Sequence, residues 1–140
     1  VSSKAMESLC TSQPQLFSQP QLSTFSGASG GSLIAAALAR EIPVEEVMAA
    51  MDEVSQLCRS HGTVWRLESA LRSVLQKYIS YHPSLIGRLR VAVTRVRPGP
   101  MQSPEMIDNF DDTDDLLDAL VASSFIPLYL APSEFIHFRL

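Results

Sequence analysis

A chain of 140 residues that is 46% hydrophobic and 19% charged has the length and composition of one globular domain, which excludes disordered and fibrous classes. Cys10 and Cys58 are too few for a disulfide scaffold, no apolar run approaches the ~18 residues of a membrane span, and the first residues lack a signal-peptide core. The net charge of −4 argues against a nucleic-acid partner, and composition as a whole predicts a soluble, cytoplasmic protein.

Residues 1–21 are rich in Ser, Gln and Pro and read as a poorly ordered arm. The expected domain covers 22–140. Leu22–Ser26 reads as a short buried strand and Gly27–Gly31 as a tight turn. Ser32–Arg40 is alanine-rich and predicts a buried helix. Pro43 opens a second helix with Glu45 and Glu46 near its positive end, and Gly62 stops it. A third helix is expected from about Thr63 to Ile79. Arg88–Arg97 then alternates polar and apolar, with Leu89, Val91 and Val93 on one side, and predicts a strand. Pro98-Gly99-Pro100 is a turn, and Glu105–Phe110 is a weaker partner strand. Asp112 or Thr113 caps a helix over Asp114–Ser124, and an apolar strand-like end follows Pro127. This order indicates an α/β fold.

Charge is segregated along the chain. Residues 41–58 carry Glu41, Glu45, Glu46, Asp52 and Glu53 and no base, whereas 59–97 carry eight bases against Glu68 alone. Residues 98–134 are again purely acidic. Mutual neutralisation in the fold is the expected outcome. A basic patch facing anionic lipid is the alternative.

One motif carries chemistry. Gly27-Ala28-Ser29-Gly30-Gly31 matches G-x-S-x-G between an apolar segment and a helix, the setting of a nucleophile elbow. The turn lifts the Ser29 hydroxyl clear of the sheet, and the flanking Gly27 and Gly31 remove side chains that would clash. The Gly30 N–H can donate to an oxyanion, and the helix that follows favours negative charge. A serine needs a base, and Asp108–Asp118 followed by His137 satisfies the order of a Ser–acid–His hydrolase. His61 reads as a helix-end residue and His82 as a turn residue. The acidic run over 108–118 lacks the glycine and glutamate of a calcium loop. No cysteine–histidine spacing suits zinc, so neither metal nor cofactor is expected.

Three ordered stretches resemble the patatin-like phospholipase family, and more closely its branch of adipose-type triacylglycerol lipases. Thr24–Ala35 (Thr-Phe-Ser-Gly-Ala-Ser-Gly-Gly-Ser-Leu-Ile-Ala) resembles the strand–elbow–helix. Gly87–Val96 resembles the central strand, typically G-R-L-x-V-x-x-T-R-V. Phe110-x-x-x-Asp114 with the run to Phe125-Ile-Pro-Leu-Tyr129 resembles the helix and turn before the catalytic aspartate. The resemblance implies a three-layer α/β fold and a lipid acyl hydrolase working through an acyl-serine intermediate at Ser29. It implies a Ser–Asp dyad with no histidine, a lipid ester substrate at a membrane or droplet surface, and no cofactor. The family's Gly-rich oxyanion loop and Asp-Gly base motif have no counterpart in these residues, so a partial patatin-like domain is expected. A non-catalytic lipid-associated protein keeping the same fold is the second expectation.

Overall fold

The computed structural model describes residues 23–64, 66–96 and 102–125, apart from the side chains of His61, Val96 and Gln102. Strand β1 (Phe25–Ala28) leads into helices α1 (Gly30–Ala39), α2 (Val44–His61) and α3 (Leu67–Tyr78). A 3-10 turn (Pro83–Leu85) precedes strands β2 (Leu89–Val96) and β3 (Gln102–Ile107), and helix α4 (Thr113–Ser124) follows. β2 is central, parallel to β1 and antiparallel to β3. Three helices thus form the crossover that a parallel pair requires. The arm over 1–21 and the apolar end after Pro127 lie outside the described residues.

Register decides which face is buried. Phe25 and Gly27 pair with Leu89 and Val91, and Ile107 also pairs with Val91, so all lie on one face of the sheet. Leu89 and Val91 are fully buried and join Ala35, Ala36 and Ala39 of α1, Leu71 and Leu75 of α3, and Leu116, Leu117 and Leu120 of α4 in one cluster. The small side chains of α1 let its backbone lie close to the sheet. Ser26, Ala28, Arg90, Thr94 and Met106 face the other way and are exposed. The described residues therefore form two layers of the α/β fold, and the third layer expected from the resemblance lies outside them.

Several element boundaries differ from expectation for local reasons. β1 runs through Ala28, so the Gly-rich turn shrinks to Ser29 and α1 begins at Gly30. The carbonyl of Thr63 accepts from the N–H groups of Arg66 and Leu67, a turn that delays α3 to Leu67. β3 starts at Gln102 and ends at Ile107, with Pro104 opposite Thr94. A proline fits there because β3 is an edge strand among the described residues. Phe110 lies beyond β3 and is buried in the core at 2% exposure.

α1 ends in a Schellman motif. The N–H of Ile42 bonds to the carbonyl of Ala37 and that of Glu41 to Leu38, with Glu41 at φ 57°. Asp112 caps α4, its carboxylate accepting from the Asp115 N–H at 2.9 Å. The Asp115 carboxylate in turn accepts from the Asp111 N–H at 3.0 Å. Asp112→Ala is expected to cost about 1 kcal/mol, read as a lower urea midpoint with unchanged slope.

The charge blocks neutralise one another at four points. Arg72 bonds Asp118 at 2.5 Å, Arg95 grips Glu105 with two bonds of 2.6 and 3.2 Å, Arg88 reaches Glu41 at 3.4 Å, and Lys77 pairs with Glu53. Glu53 holds the Lys77 ammonium above the usual lysine pKa, chiefly through that hydrogen bond. Each of these bases lies in the basic block and each acid in a flanking acidic block. Most of the partners are partly exposed, so each pair contributes little to stability.

Candidate active site

Ser29 is the single residue between β1 and α1, and its backbone is unusual. It sits at φ 52°, ψ −132°, a region that costs a residue bearing a Cβ of order 1–3 kcal/mol and survives only where neighbours enforce it. Two neighbours do so. The Ser29 carbonyl accepts from the Ser32 N–H at 2.9 Å and from the Ser32 hydroxyl at 2.6 Å. The Ser29 N–H donates to the Ser123 Oγ at 2.9 Å. Ser123 in turn donates to the Ala92 carbonyl of β2 at 2.6 Å. The backbone is fixed on both sides, while Ser29 itself is exposed and no hydrogen bond engages its hydroxyl among the described residues.

Close approach explains one glycine. A Cβ on Gly27 would lie 2.3 Å from the Gly31 carbonyl oxygen and 2.7 Å from the Ser32 nitrogen, so the first turn of α1 rests directly on Gly27. The expectation of a matching clash at Gly31 is corrected for the described residues: among them a Cβ there meets nothing within 4 Å, and the same holds at Gly30. Gly31 is the atom donor to the contact at Gly27 rather than a second relief site. Gly30 is the first residue of α1, where N–H groups have no intrahelical acceptor and the helix presents partial positive charge.

An apolar cleft of about 340 Å³ starts at Gly30. Leu33, Ile34 and Ala37 of α1 form one wall. Val47, Ala50, Met51 and Val54 of α2 face Val74, Leu75 and Tyr78 of α3 across it. Glu46 is its one charged lining residue. Met51, which lines the cleft from α2, is 42% exposed, so the cleft is open to solvent at that residue.

The other candidates fall elsewhere. His82 caps the 3-10 turn, its Nδ1 accepting from the Ser84 N–H at 3.1 Å. It precedes β2, whereas Ser29 follows β1, which places them toward opposite ends of the parallel pair. His61 ends α2, and His137 lies outside the described residues. Asp118 is committed to Arg72, and Asp112 and Asp115 to the α4 cap. Among the described residues no cluster of three or more His, Cys, Asp or Glu converges on a point. Ser32 and Ser123 escaped the sequence reading. For Ser32 the available signal was a polar residue at the head of the apolar run of α1, where it is at 0% exposure; Ser123 had none.

The described residues thus form an α/β fold in which a strand runs into a helix through one strained, exposed serine, with an apolar cleft beside it. Three relatives identify the family. The chain is 36% identical over 110 residues to human patatin-like phospholipase domain-containing protein 2, covering 74% of this chain and 21% of that protein. It is 30% identical over 121 residues to mouse 1-acylglycerol-3-phosphate O-acyltransferase Pnpla3, covering 80% and 29%. It is 31% identical over 115 residues to human patatin-like phospholipase domain-containing protein 4, covering 75% and 44%. The chain belongs to the patatin-like phospholipase family, a family of lipid hydrolases and acyltransferases. It spans between about a fifth and just under half of the length of these relatives. No protein-family model and no solved structure matches it.

Proposed function

We propose that this chain carries the nucleophile half of a lipid acyl hydrolase, with Ser29 as the nucleophile. The observation that carries this reading is the strained backbone of Ser29, fixed by Ser32 and Ser123, with no hydrogen bond to its hydroxyl among the described residues. In the reaction Ser29 Oγ attacks the carbonyl carbon of a lipid ester, and the Gly30 N–H donates to the oxyanion. The ester C–O bond breaks, the alcohol leaves with a proton, and the acyl group stays on Ser29. Water then attacks the acyl carbon, releasing the carboxylic acid and returning a proton to Ser29 Oγ. On the family resemblance the proton acceptor is the aspartate of an Asp-Gly motif, which these residues do not contain, forming a Ser–Asp dyad. An alcohol in place of water would turn hydrolysis into acyl transfer, the activity in the name of the mouse relative.

The cleft from Gly30 suits an acyl chain, since an apolar lining of this volume gains about 0.8 kcal/mol for each CH₂ it takes from water. We read the substrate as presented at a membrane or lipid-droplet surface, approached from the cytoplasm by a peripheral protein. No described helix is long and apolar enough to cross a membrane.

The test is labelling of the full-length protein, which carries the Asp-Gly motif on this reading, with a fluorophosphonate, followed by mass mapping of the modified peptide. Modification at Ser29 supports the reading, and modification elsewhere or nowhere overturns it. A second experiment addresses the cleft. Ala50→Phe is expected to lower turnover of long-chain nitrophenyl esters roughly tenfold relative to butyrate. Equal loss at every chain length would remove the cleft from the acyl path.

A further inference from the structure

The parallel ladder between β1 and β2 contains an interrupted rung. The Phe25 N–H donates to the Arg88 carbonyl at 2.6 Å, and the register pairs Phe25 with Leu89 through to Ala28 with Ala92. Parallel rungs recur every second residue. Four residues on, continuation of the same ladder would bond the Ser29 N–H directly to the Ala92 carbonyl. These two groups do not meet. The Ser123 hydroxyl stands between them, accepting from the Ser29 N–H at 2.9 Å and donating to the Ala92 carbonyl at 2.6 Å.

We propose that Ser123 is a positioning residue for the nucleophile: its hydroxyl replaces the last ladder bond and holds the end of β1 away from β2. Without the inserted oxygen, the Ser29 N–H and Ala92 carbonyl lose their shared partner. The nearest remedy is for them to bond to each other. That would draw Ser29 into extended backbone, continue the strand by one residue, and remove the φ 52° turn that presents its hydroxyl. A hydroxyl is suited to the task because one oxygen both accepts and donates. Its position is set by α4, which packs on β2 through Leu116, Leu120 and Val121, each at most 1% exposed. The core of α4 thereby fixes the geometry of a residue 94 positions earlier.

The neighbouring Ser124 provides an internal control. Its Oγ is buried with no partner among the described residues, so removing it leaves the elbow untouched. The proposal rests on the reading of Ser29 as nucleophile, and its test separates the two. Amide hydrogen exchange at Ser29 is measured by NMR in the full-length protein that contains this chain, beside the rate of fluorophosphonate labelling. Ser123→Ala is expected to change the Ser29 amide shift and its exchange rate. It should slow labelling about tenfold, while core amides such as that of Leu117 keep their protection. Ser123→Thr, which keeps the hydroxyl, should restore both readouts, and Ser124→Ala should alter neither.

An unchanged Ser29 amide in Ser123→Ala overturns the inserted rung. A changed amide with an unchanged labelling rate overturns the positioning role. Should Ser123→Thr fail to fold, Ser123→Ala against Ser124→Ala still decides. If the unaltered chain is not labelled at Ser29, the nucleophile reading fails and the positioning role falls with it. The amide shifts would then report the inserted rung on its own.

Discussion

Ser29→Gly is expected to stabilise the fold by about 1 kcal/mol while eliminating labelling and esterase activity. The stabilisation follows from the backbone. At φ 52°, ψ −132° a Cβ crowds the flanking peptide groups, and removing it recovers of order 1–3 kcal/mol. Glycine forfeits roughly 0.5–1 kcal/mol of that through its greater freedom in the unfolded chain. The hydrogen bonds that hold the turn use only the Ser29 backbone and so survive the change. Ser29→Ala keeps the Cβ, and its stability should stay within about 0.5 kcal/mol of the unaltered chain. Both variants lose the Oγ and should be inert toward a fluorophosphonate. Urea titrations of the three proteins check the first part. Equal stability of the Gly and Ala variants would show that the turn is unstrained. Residual modification of the elbow peptide in either would remove Ser29 as the nucleophile.

Gly27→Ala is expected to act in the opposite sense, lowering stability by about 3 kcal/mol and abolishing labelling as well. The new methyl would sit 2.3 Å from the Gly31 oxygen and 2.4 Å from its carbonyl carbon. Both are backbone atoms at the start of a helix, so no side-chain rotation relieves the overlap. α1 must lift from β1, and the helix carries Ser32 with it. Ser32 supplies two of the bonds that hold the Ser29 carbonyl, so the elbow loosens along with the packing. Gly31→Ala is the matched control, because among the described residues a Cβ there meets nothing within 4 Å and alanine favours a helix interior. Its stability should equal or slightly exceed that of the unaltered chain. Equal losses in the two variants would argue against a specific contact at Gly27.

The sheet and the elbow were legible in the sequence to different depths. β2 was plain because one of its faces is buried, so Leu89, Val91 and Val93 had to alternate with Arg90 and Thr94. The G-x-S-x-G motif was plain because a serine forced into a positive φ needs a small residue where the helix crosses the strand. The role of Gly31 was misjudged because the clash is one-sided: the α1 backbone crosses over Gly27, and no described residue crosses over Gly31. The start of β3 was missed because Pro104 reads as a breaker, yet an edge strand has an N–H side that needs no donor. Charge pairing was legible as three blocks but not as partners, since Arg72 finds Asp118 only when α3 and α4 pack. Ser123 was illegible for the same reason. Its contacts depend on the register of β1 on β2 and on the docking of α4, neither of which leaves a trace in local sequence.

The span of the Ser29 anchor has a consequence for the order of events during synthesis. Ser29 is made early, but the hydroxyl that fixes its N–H arrives 94 residues later, after both strands that flank the interrupted rung. Contacts of such long sequence separation form late, because the intervening loop must close first. On the positioning role proposed for Ser123, a nascent chain that has emerged only as far as β2 lacks the hydroxyl that stands between Ser29 and Ala92. On that role, the set of the Ser29 backbone thereby depends on the docking of α4.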